Sequence, residues 1–77
     1  MKKVTIYSTP TCHYCHMAKE YLAEHNVPYE EYNVATDLLK RKEMMEKSGQ
    51  TGVPVIDVDG EMMVGYNQAA LAKALGL

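Results

Sequence analysis

The chain has 77 residues, of which 47% are hydrophobic and 23% charged, and its formal net charge is −2. This length predicts one small domain over residues 1–77 with a modest hydrophobic core. The near-neutral charge balance argues against nucleic acid or an anionic membrane surface as a partner. No apolar run approaches the roughly 18 residues that a membrane-spanning helix requires.

The two cysteines are expected to carry chemistry. Residues 1–7 contain two lysines but no long apolar run and no small-residue cleavage site, which argues against a secretory signal. We therefore expect a cytoplasmic protein in a reducing environment, where paired cysteines are more often catalytic or metal-binding than structural. Cys12 and Cys15, the only cysteines, would also close too short a loop to restrain the unfolded chain.

The first half of the chain predicts a strand, a helix and a strand. Residues 4–7 are mostly β-branched and aromatic and precede a turn at residues 8–11, which indicates a strand. Apolar side chains then recur at helical spacing and predict a helix over residues 13–25. The stripe predicted to face the core consists of Tyr14, Met17, Ala18, Tyr21, Leu22 and His25. Residues 29–34 alternate between apolar and polar side chains, which is typical of a half-buried strand.

A second helix is predicted over residues 38–47. Thr36 or Asp37 precedes it and is of a residue type that caps helix N-termini. Ser48-Gly49 follows it, and glycine commonly ends a helix because it adopts the left-handed conformation without strain.

The last third of the chain predicts a hairpin and a helix. A strand over residues 53–58 is joined to a return strand over residues 61–64 by Asp59-Gly60, a strong two-residue hairpin signal. Asn67 is predicted to cap the final helix, residues 68–75.

The predicted order of elements is β-α-β-α-β-β-α, an α/β fold. Its first three elements demand a parallel pair of strands with a right-handed crossover, and the hairpin adds two antiparallel strands. The sequence therefore predicts a four-stranded mixed sheet with three helices.

The segment Cys12-His13-Tyr14-Cys15 is a C-x-x-C pair at a predicted helix start, directly after a strand and a turn. A helix N-terminus offers unpaired N–H groups and partial positive charge, which stabilise a thiolate. Cys12 is therefore predicted to be a nucleophile, since only the thiolate attacks a disulfide. Cys15, deeper on the helix, is predicted to attack the resulting mixed disulfide.

Other interpretations of the two cysteines stay open. With His16 they form C-x-x-C-H, the pattern for c-type haem attachment, although that chemistry needs export in most cells. Cys12, Cys15 and histidines also supply ligand types suited to zinc, and an iron–sulfur cluster bridging two chains is a related alternative. A structural metal site usually draws four ligands from two separated pairs, and the chain has no second cysteine or histidine pair. A metal-binding module is kept as the alternative to a redox enzyme.

The chain resembles glutaredoxins. The resemblance rests on the order of elements, on Cys12-His13-Tyr14-Cys15 after the first strand, on Thr51-Gly52-Val53-Pro54 before the third, and on Gly65 after the fourth. It implies one glutaredoxin-like domain over residues 1–77, with the thioredoxin fold in its minimal form. It also implies a thiol–disulfide oxidoreductase that acts on protein or small-molecule disulfides as a monomer, with no tightly bound cofactor.

The resemblance also implies a substrate clamp. In the thioredoxin fold the proline that matches Pro54 is cis and lies against the active-site cysteines. Val53 would then present its backbone N–H and C=O groups to an extended substrate, as in β-augmentation. Thr51 and Gly52 would shape the loop, and Tyr14 would be a wall of the substrate groove or a packing residue.

Two neighbourhoods differ from the usual glutaredoxin pattern. Glutaredoxins bind the γ-glutamyl end of glutathione near a Gly-Gly pair followed by acidic or hydroxyl side chains. This chain has Gly65, Tyr66 and Asn67 at that place, and the resemblance implies that these three residues bind substrate. One glycine followed by an aromatic residue is more similar to NrdH-type redoxins, which take electrons from thioredoxin reductase. Glutathione and thioredoxin reductase are therefore both candidate electron donors. His13 replaces the usual proline, and its imidazolium would favour the Cys12 thiolate unless it is a neutral, solvated side chain.

Overall fold

The computed structural model describes residues 3–77 and confirms the predicted order of seven elements. In chain order these are β1 (Val4–Ser8), α1 (His13–Glu24), β2 (Glu30–Asn33), α2 (Leu38–Ser48), β3 (Val55–Val58), β4 (Glu61–Val64) and α3 (Gln68–Leu75). β3 begins two residues later than predicted, after Pro54, because a proline has no amide hydrogen to donate to a strand ladder. Met1 and Lys2, which belong to the segment predicted not to be a secretory signal, lie outside the described residues.

The four strands form one mixed sheet, as the sequence predicted, and they lie in the order β2-β1-β3-β4. β1 is parallel to β2 and antiparallel to β3, and β4 is antiparallel to β3. Tyr7 pairs with Val55, and Val55 in turn pairs with Val64. The end of β1, the start of β3 and the end of β4 therefore meet at one edge of the sheet.

Helices cover both faces of the sheet. One core lies between the sheet and the pair α1 and α3, and its buried residues are Val4, Ile6, Ala18, Tyr21, Leu22, Ile56, Val58, Leu71 and Ala74. The other core lies under α2 and comprises Tyr7, Val34, Met44 and Val55. Every residue of β1 is buried, because this strand has a neighbour on each side and a helix over each face.

The predicted core stripe of α1 is only partly right. Its buried residues are Cys15, Ala18, Tyr21 and Leu22. Tyr14 and Met17 are exposed, and the His25 ring lies at the surface with its centroid 4.4 Å from that of Tyr21. The stripe excluded Cys15, whose thiol packs like a small apolar group, and including it rotates the buried face away from Tyr14.

No helix within residues 3–77 is long and apolar enough to cross a membrane.

Candidate active site

Cys12 is the N-cap residue of α1, and its sulfur accepts a hydrogen bond from the Cys15 amide at 3.1 Å. The other two helices begin in the same way with oxygen acceptors. Asp37 accepts from the Lys40 amide at 3.0 Å, and Asn67 accepts from the Ala70 amide at 3.1 Å. A thiolate at Cys12 thus takes the place of a carboxylate or amide oxygen at a helix N-terminus, where partial positive charge stabilises an anion.

The two sulfurs differ in how far solvent and substrate can reach them. Cys12 is partly exposed, whereas Cys15 is 0% exposed. Burial, together with the hydrogen bond to Cys12, raises the pKa of the Cys15 thiol to about 12. A disulfide in solution can therefore reach Cys12 first, while Cys15 stays a protonated donor beneath it.

Backbone and ring contacts hold the loop before α1. The Cys12 amide donates to the Thr9 carbonyl at 3.3 Å, and the His16 Nε2 atom lies 3.3 Å from the Pro10 carbonyl oxygen. This loop carries the chain from the buried end of β1 to the partly exposed nucleophile within four residues.

Val53 and Pro54 stand at the edge of the sheet where β1 ends. The antiparallel pairing of Tyr7 with Val55, continued by one residue, puts Pro54 opposite Ser8. The Val53–Pro54 peptide bond is cis, as the resemblance implied, and Pro54 is buried while Val53 is half-buried. Within residues 3–77, no hydrogen bond engages the Val53 amide or carbonyl.

Gly65 follows the end of β4 and lies beside Pro54 at the same end of the sheet. Its amide donates to the Pro54 carbonyl at 2.8 Å, and its φ of 80° is in the left-handed region. The Tyr66 ring follows and packs against the core between α1 and α3, with its centroid 6.5 Å from that of Tyr21. Since the Asn67 side chain caps α3, its carbonyl oxygen is already engaged.

The other predicted site residues lie at the surface. Tyr14 is 58% exposed, with its ring edge-on to His13 at a centroid distance of 5.7 Å. Thr51 and Gly52 are exposed and lead into Val53. The exposure of Tyr14 disfavours its packing interpretation and leaves the groove wall as its role to be tested.

Sequence reasoning missed a group of polar side chains under α1. The Ser8 hydroxyl donates to the Glu31 carboxylate at 2.7 Å, and the Lys19 ammonium donates to the same carboxylate oxygen at 2.8 Å. Cys15 and Lys19 are four residues apart on α1, a spacing that puts side chains on one helix face. That spacing was visible in the sequence, but the partner in β2 was not.

The metal-binding alternative gains no further ligands from the fold. Within residues 3–77, no three histidine, cysteine, aspartate or glutamate side chains come together in a group able to hold a metal ion. That alternative therefore rests on the two thiols alone.

Sequence similarity to known proteins extends over most of the chain. The family model described as Glutaredoxin matches residues 4–63. A glutaredoxin-like 8.6 kDa protein from a rubredoxin operon of Clostridium pasteurianum is 47% identical over 72 residues, covering 94% of this chain and 96% of that protein. Glutaredoxin 3 of Escherichia coli K12 is 37% identical over 76 residues, covering 99% and 92%. The glutaredoxin-like protein NrdH of Lactococcus lactis IL1403 is 34% identical over 73 residues, covering 91% and 96%.

A solved structure gives the same result for the fold. A mutant of the thioredoxin-like protein BC3987 superposes with a TM-score of 0.92 at 33% identity, covering 99% of this chain and 97% of that one. The predicted thioredoxin fold is thereby confirmed. From its family-model match and its full-length relatives, the chain belongs to the glutaredoxin family.

Proposed function

We propose that the protein is a thiol–disulfide oxidoreductase that works by a dithiol mechanism, with Cys12 as nucleophile and Cys15 as resolving thiol. Membership of the glutaredoxin family supports the reaction class. One observation supports the assignment of roles: the Cys12 sulfur is the partly exposed N-cap acceptor of α1, while Cys15 is fully buried. The reachable sulfur is thus the one whose anion the helix stabilises.

The reaction has two exchange steps. The Cys12 thiolate attacks one sulfur of the substrate disulfide, forms a mixed disulfide and expels the other substrate sulfur as a thiolate, which takes up a proton. Cys15 then loses its proton and attacks the Cys12 sulfur. The bond between Cys12 and the substrate breaks, the second substrate thiol is released, and the Cys12–Cys15 disulfide remains.

Val53 and Pro54 are proposed to hold the substrate backbone during both steps. Val53 has backbone groups without partners in the described part of the chain, at the edge where β1 and β4 end. An extended substrate segment would pair with them as a short added strand. Thr51 and Gly52 would leave Val53 open to a substrate arriving from solvent, and Tyr14 would line the opposite wall of the substrate groove.

The region after β4 favours one of the two candidate electron donors. Tyr66 is half-buried against the core and Asn67 caps α3, and neither residue type supplies the acidic group that glutaredoxins offer to the glutathione ammonium. Gly65 remains as a backbone contact. We therefore propose a flavoprotein reductase of the thioredoxin reductase type as donor, in line with the similarity to the NrdH relative.

Two cysteine variants test the assignment of roles. Cys12→Ser should abolish reduction of a model disulfide, whereas Cys15→Ser should accumulate a mixed disulfide that intact mass spectrometry detects. A serine hydroxyl is not ionised at neutral pH and cannot replace the thiolate. Full activity of the Cys12→Ser protein would refute the assignment. Metal analysis and visible absorbance of the same wild-type preparation test the metal-binding alternative.

A separate experiment tests the donor. The oxidised protein is mixed with glutathione in one assay and with thioredoxin reductase and NADPH in another. Reduction is expected to be fast only with the reductase. Rapid reduction by glutathione would reject this choice of donor and leave the dithiol mechanism untouched.

Two further proposals rest on the chemistry of the site. A protein that reduces disulfides needs a reducing compartment, and we propose the cytoplasm. We also propose that residues 1–77 act as one domain and as a monomer, since Cys12 and Cys15 come from the same helix start and no second copy is required for the exchange.

A further inference from the structure

We propose that Lys19, fixed by Glu31 and Ser8, is a positioning residue that places a positive charge beside the Cys15 sulfur and accelerates release of the product. The inference rests on the proposed dithiol mechanism and deepens it. It concerns the second exchange step, in which a buried thiol must become an anion.

In that step the buried Cys15 thiol must become a thiolate, and the helix N-terminus does not stabilise this second anion. Cys15 is 0% exposed, so its thiolate has no water around it. The Cys15 amide already donates its hydrogen bond to the Cys12 sulfur, so the helix terminus stabilises the first nucleophile, Cys12. A positive charge that stabilises the Cys15 thiolate therefore has to come from a side chain near that sulfur.

Lys19 is suitably placed to supply that charge. It follows Cys15 by four residues on α1, and side chains at this spacing have Cβ atoms about 5–6 Å apart. Its side chain is only 20% exposed, so water screens its charge less than that of a surface lysine. Burial and the hydrogen bond to Cys12 raise the pKa of the Cys15 thiol, whereas a hydrogen bond with the Thr9 backbone and, to a smaller extent, the Lys19 ammonium lower it. Lys19 is the side chain whose positive charge acts in that direction.

Two hydrogen bonds to one carboxylate keep Lys19 in place. The Glu31 carboxylate accepts from Lys19 at 2.8 Å and from the Ser8 hydroxyl at 2.7 Å. Ser8 is buried at the end of β1, so the carboxylate is anchored to the central strand of the sheet. A lysine tethered in this way loses little further entropy by staying near the sulfur.

Glu31 itself is not suited to accept the proton of Cys15. The hydrogen bonds from Lys19 and Ser8 hold the pKa of the Glu31 carboxyl below its usual range, so it is an anion and a weak base at neutral pH. The other groups acting on Cys15 are Cys12 on the same helix and the backbone of Thr9 in the preceding loop. The proton of Cys15 therefore ends on the substrate sulfur that leaves the partly exposed Cys12, and Lys19 stabilises the Cys15 anion while it attacks.

The two exchange steps can be timed separately by rapid-quench mass spectrometry. Reduced protein is mixed with an excess of a peptide disulfide carrying a thionitrobenzoate leaving group. Formation of the mixed disulfide depends on peptide concentration, and its resolution by Cys15 does not. The pH profile of the resolution rate is recorded for each variant.

Lys19→Gln alone would leave the Glu31 carboxylate without its cation, so the decisive variant is Lys19→Gln with Glu31→Gln. Resolution is expected to slow about threefold, because the loss of thiolate is partly offset by the greater nucleophilicity of a more basic sulfur. Its pH profile should shift to higher pH, and formation should be unchanged. Lys19→Arg should retain the wild-type profile.

The matched control is the exposed lysine–glutamate pair Lys42 and Glu46 on α2, whose charged atoms are 3.9 Å apart. Lys42→Gln with Glu46→Gln should leave both rates unchanged. Wild-type resolution rate and pH profile in the Lys19 and Glu31 double variant would overturn the inference while leaving the dithiol mechanism standing. Failure of the wild-type protein to form any mixed disulfide would instead refute the proposed function, and the inference with it.

Discussion

The Tyr7 hydroxyl donates a 2.6 Å hydrogen bond to the Glu43 carboxylate, which joins the central strand β1 to α2. Burial and this hydrogen bond to a carboxylate raise the pKa of Tyr7, so the phenol stays protonated as a donor. Lys40 lies beside the same carboxylate at 3.5 Å.

Replacing Tyr7 by phenylalanine should lower the free energy of unfolding by about 1–2 kcal/mol, because the partly buried Glu43 carboxylate loses a donor. Urea denaturation at neutral pH measures the change. Tyr32→Phe is the control, since the Tyr32 hydroxyl bonds the exposed Glu30 carboxylate at 2.9 Å and its loss should have little effect. Equal losses in both variants would contradict the assigned role of Tyr7.

Stability should fall on acidification partly through Glu31. Hydrogen bonds from Lys19 and Ser8 lower the pKa of Glu31 in the folded state. A lowered folded-state pKa contributes stability above the unfolded-state pKa, and that contribution is lost as pH falls through the folded-state value. Glu31→Gln should therefore lose less stability than wild type between neutral pH and about pH 3.5, as measured by urea denaturation at each pH.

Glu46→Gln provides the comparison for that pH effect. Glu46 belongs to a solvent-exposed pair with Lys42, and such pairs contribute little. Its acid-induced loss of stability should match that of wild type. If Glu31→Gln also matched wild type, the Glu31 hydrogen bonds would not be a source of the acid sensitivity.

Alanine at Gly65 should reduce both stability and activity, whereas alanine at Gly49 should reduce stability alone. Both glycines have φ in the left-handed region, at 80° and 72°, and no atom lies within 4 Å of an added Cβ at either position. Backbone strain alone should therefore cost about 1 kcal/mol in each variant. Only Gly65 donates to the Pro54 carbonyl, so only its variant should raise KM for a protein disulfide.

The two readouts separate conformation from substrate binding. Thermal unfolding of both variants gives the stability change, and steady-state kinetics at a temperature well below both transitions gives the activity. A Gly65→Ala protein with wild-type KM would show that this glycine does not shape the proposed binding edge.

Asn67 should behave as a helix cap rather than as a ligand for the electron donor. Asn67→Ala should lower the free energy of unfolding by about 1 kcal/mol, as should Asp37→Ala, because each removes the acceptor for a first-turn amide. Neither should change KM for the reductase or for glutathione. A large rise in KM for glutathione in Asn67→Ala alone would restore Asn67 as a binding residue.

Features that depend on residues close in sequence were predictable. The order of elements, the Asp59-Gly60 turn and the caps at Asp37 and Asn67 follow from periodicity and from side chains that bond backbone groups within the same turn. The position of Cys12 at a helix start belongs to this class, since the sequence places a turn directly before an amphipathic segment. The redox hypothesis could therefore be formed without coordinates.

The predictions failed where packing decides. Tyr14 and Met17 fit the helical stripe by spacing but are exposed, because α1 turns Cys15 rather than Tyr14 toward the sheet. A stripe defined by residue type indicates a helix, and small differences in rotation decide which side chains reach the core. Asn67 is predicted both as a substrate-binding residue and as a helix cap, and the hydrogen bond from the Ala70 amide confirms the cap.

For the C-x-x-C pair itself, the sequence alone was enough to predict a redox site, because local geometry places a thiol beside the unpaired amide groups of a helix start. The tertiary structure decided the different environments of the two sulfurs. It buries Cys15 completely, leaves Cys12 within reach, and brings Glu31 and Ser8 from neighbouring strands to Lys19. Those contacts join residues up to 23 positions apart, and no local pattern specifies them because they arise only when the strands pair.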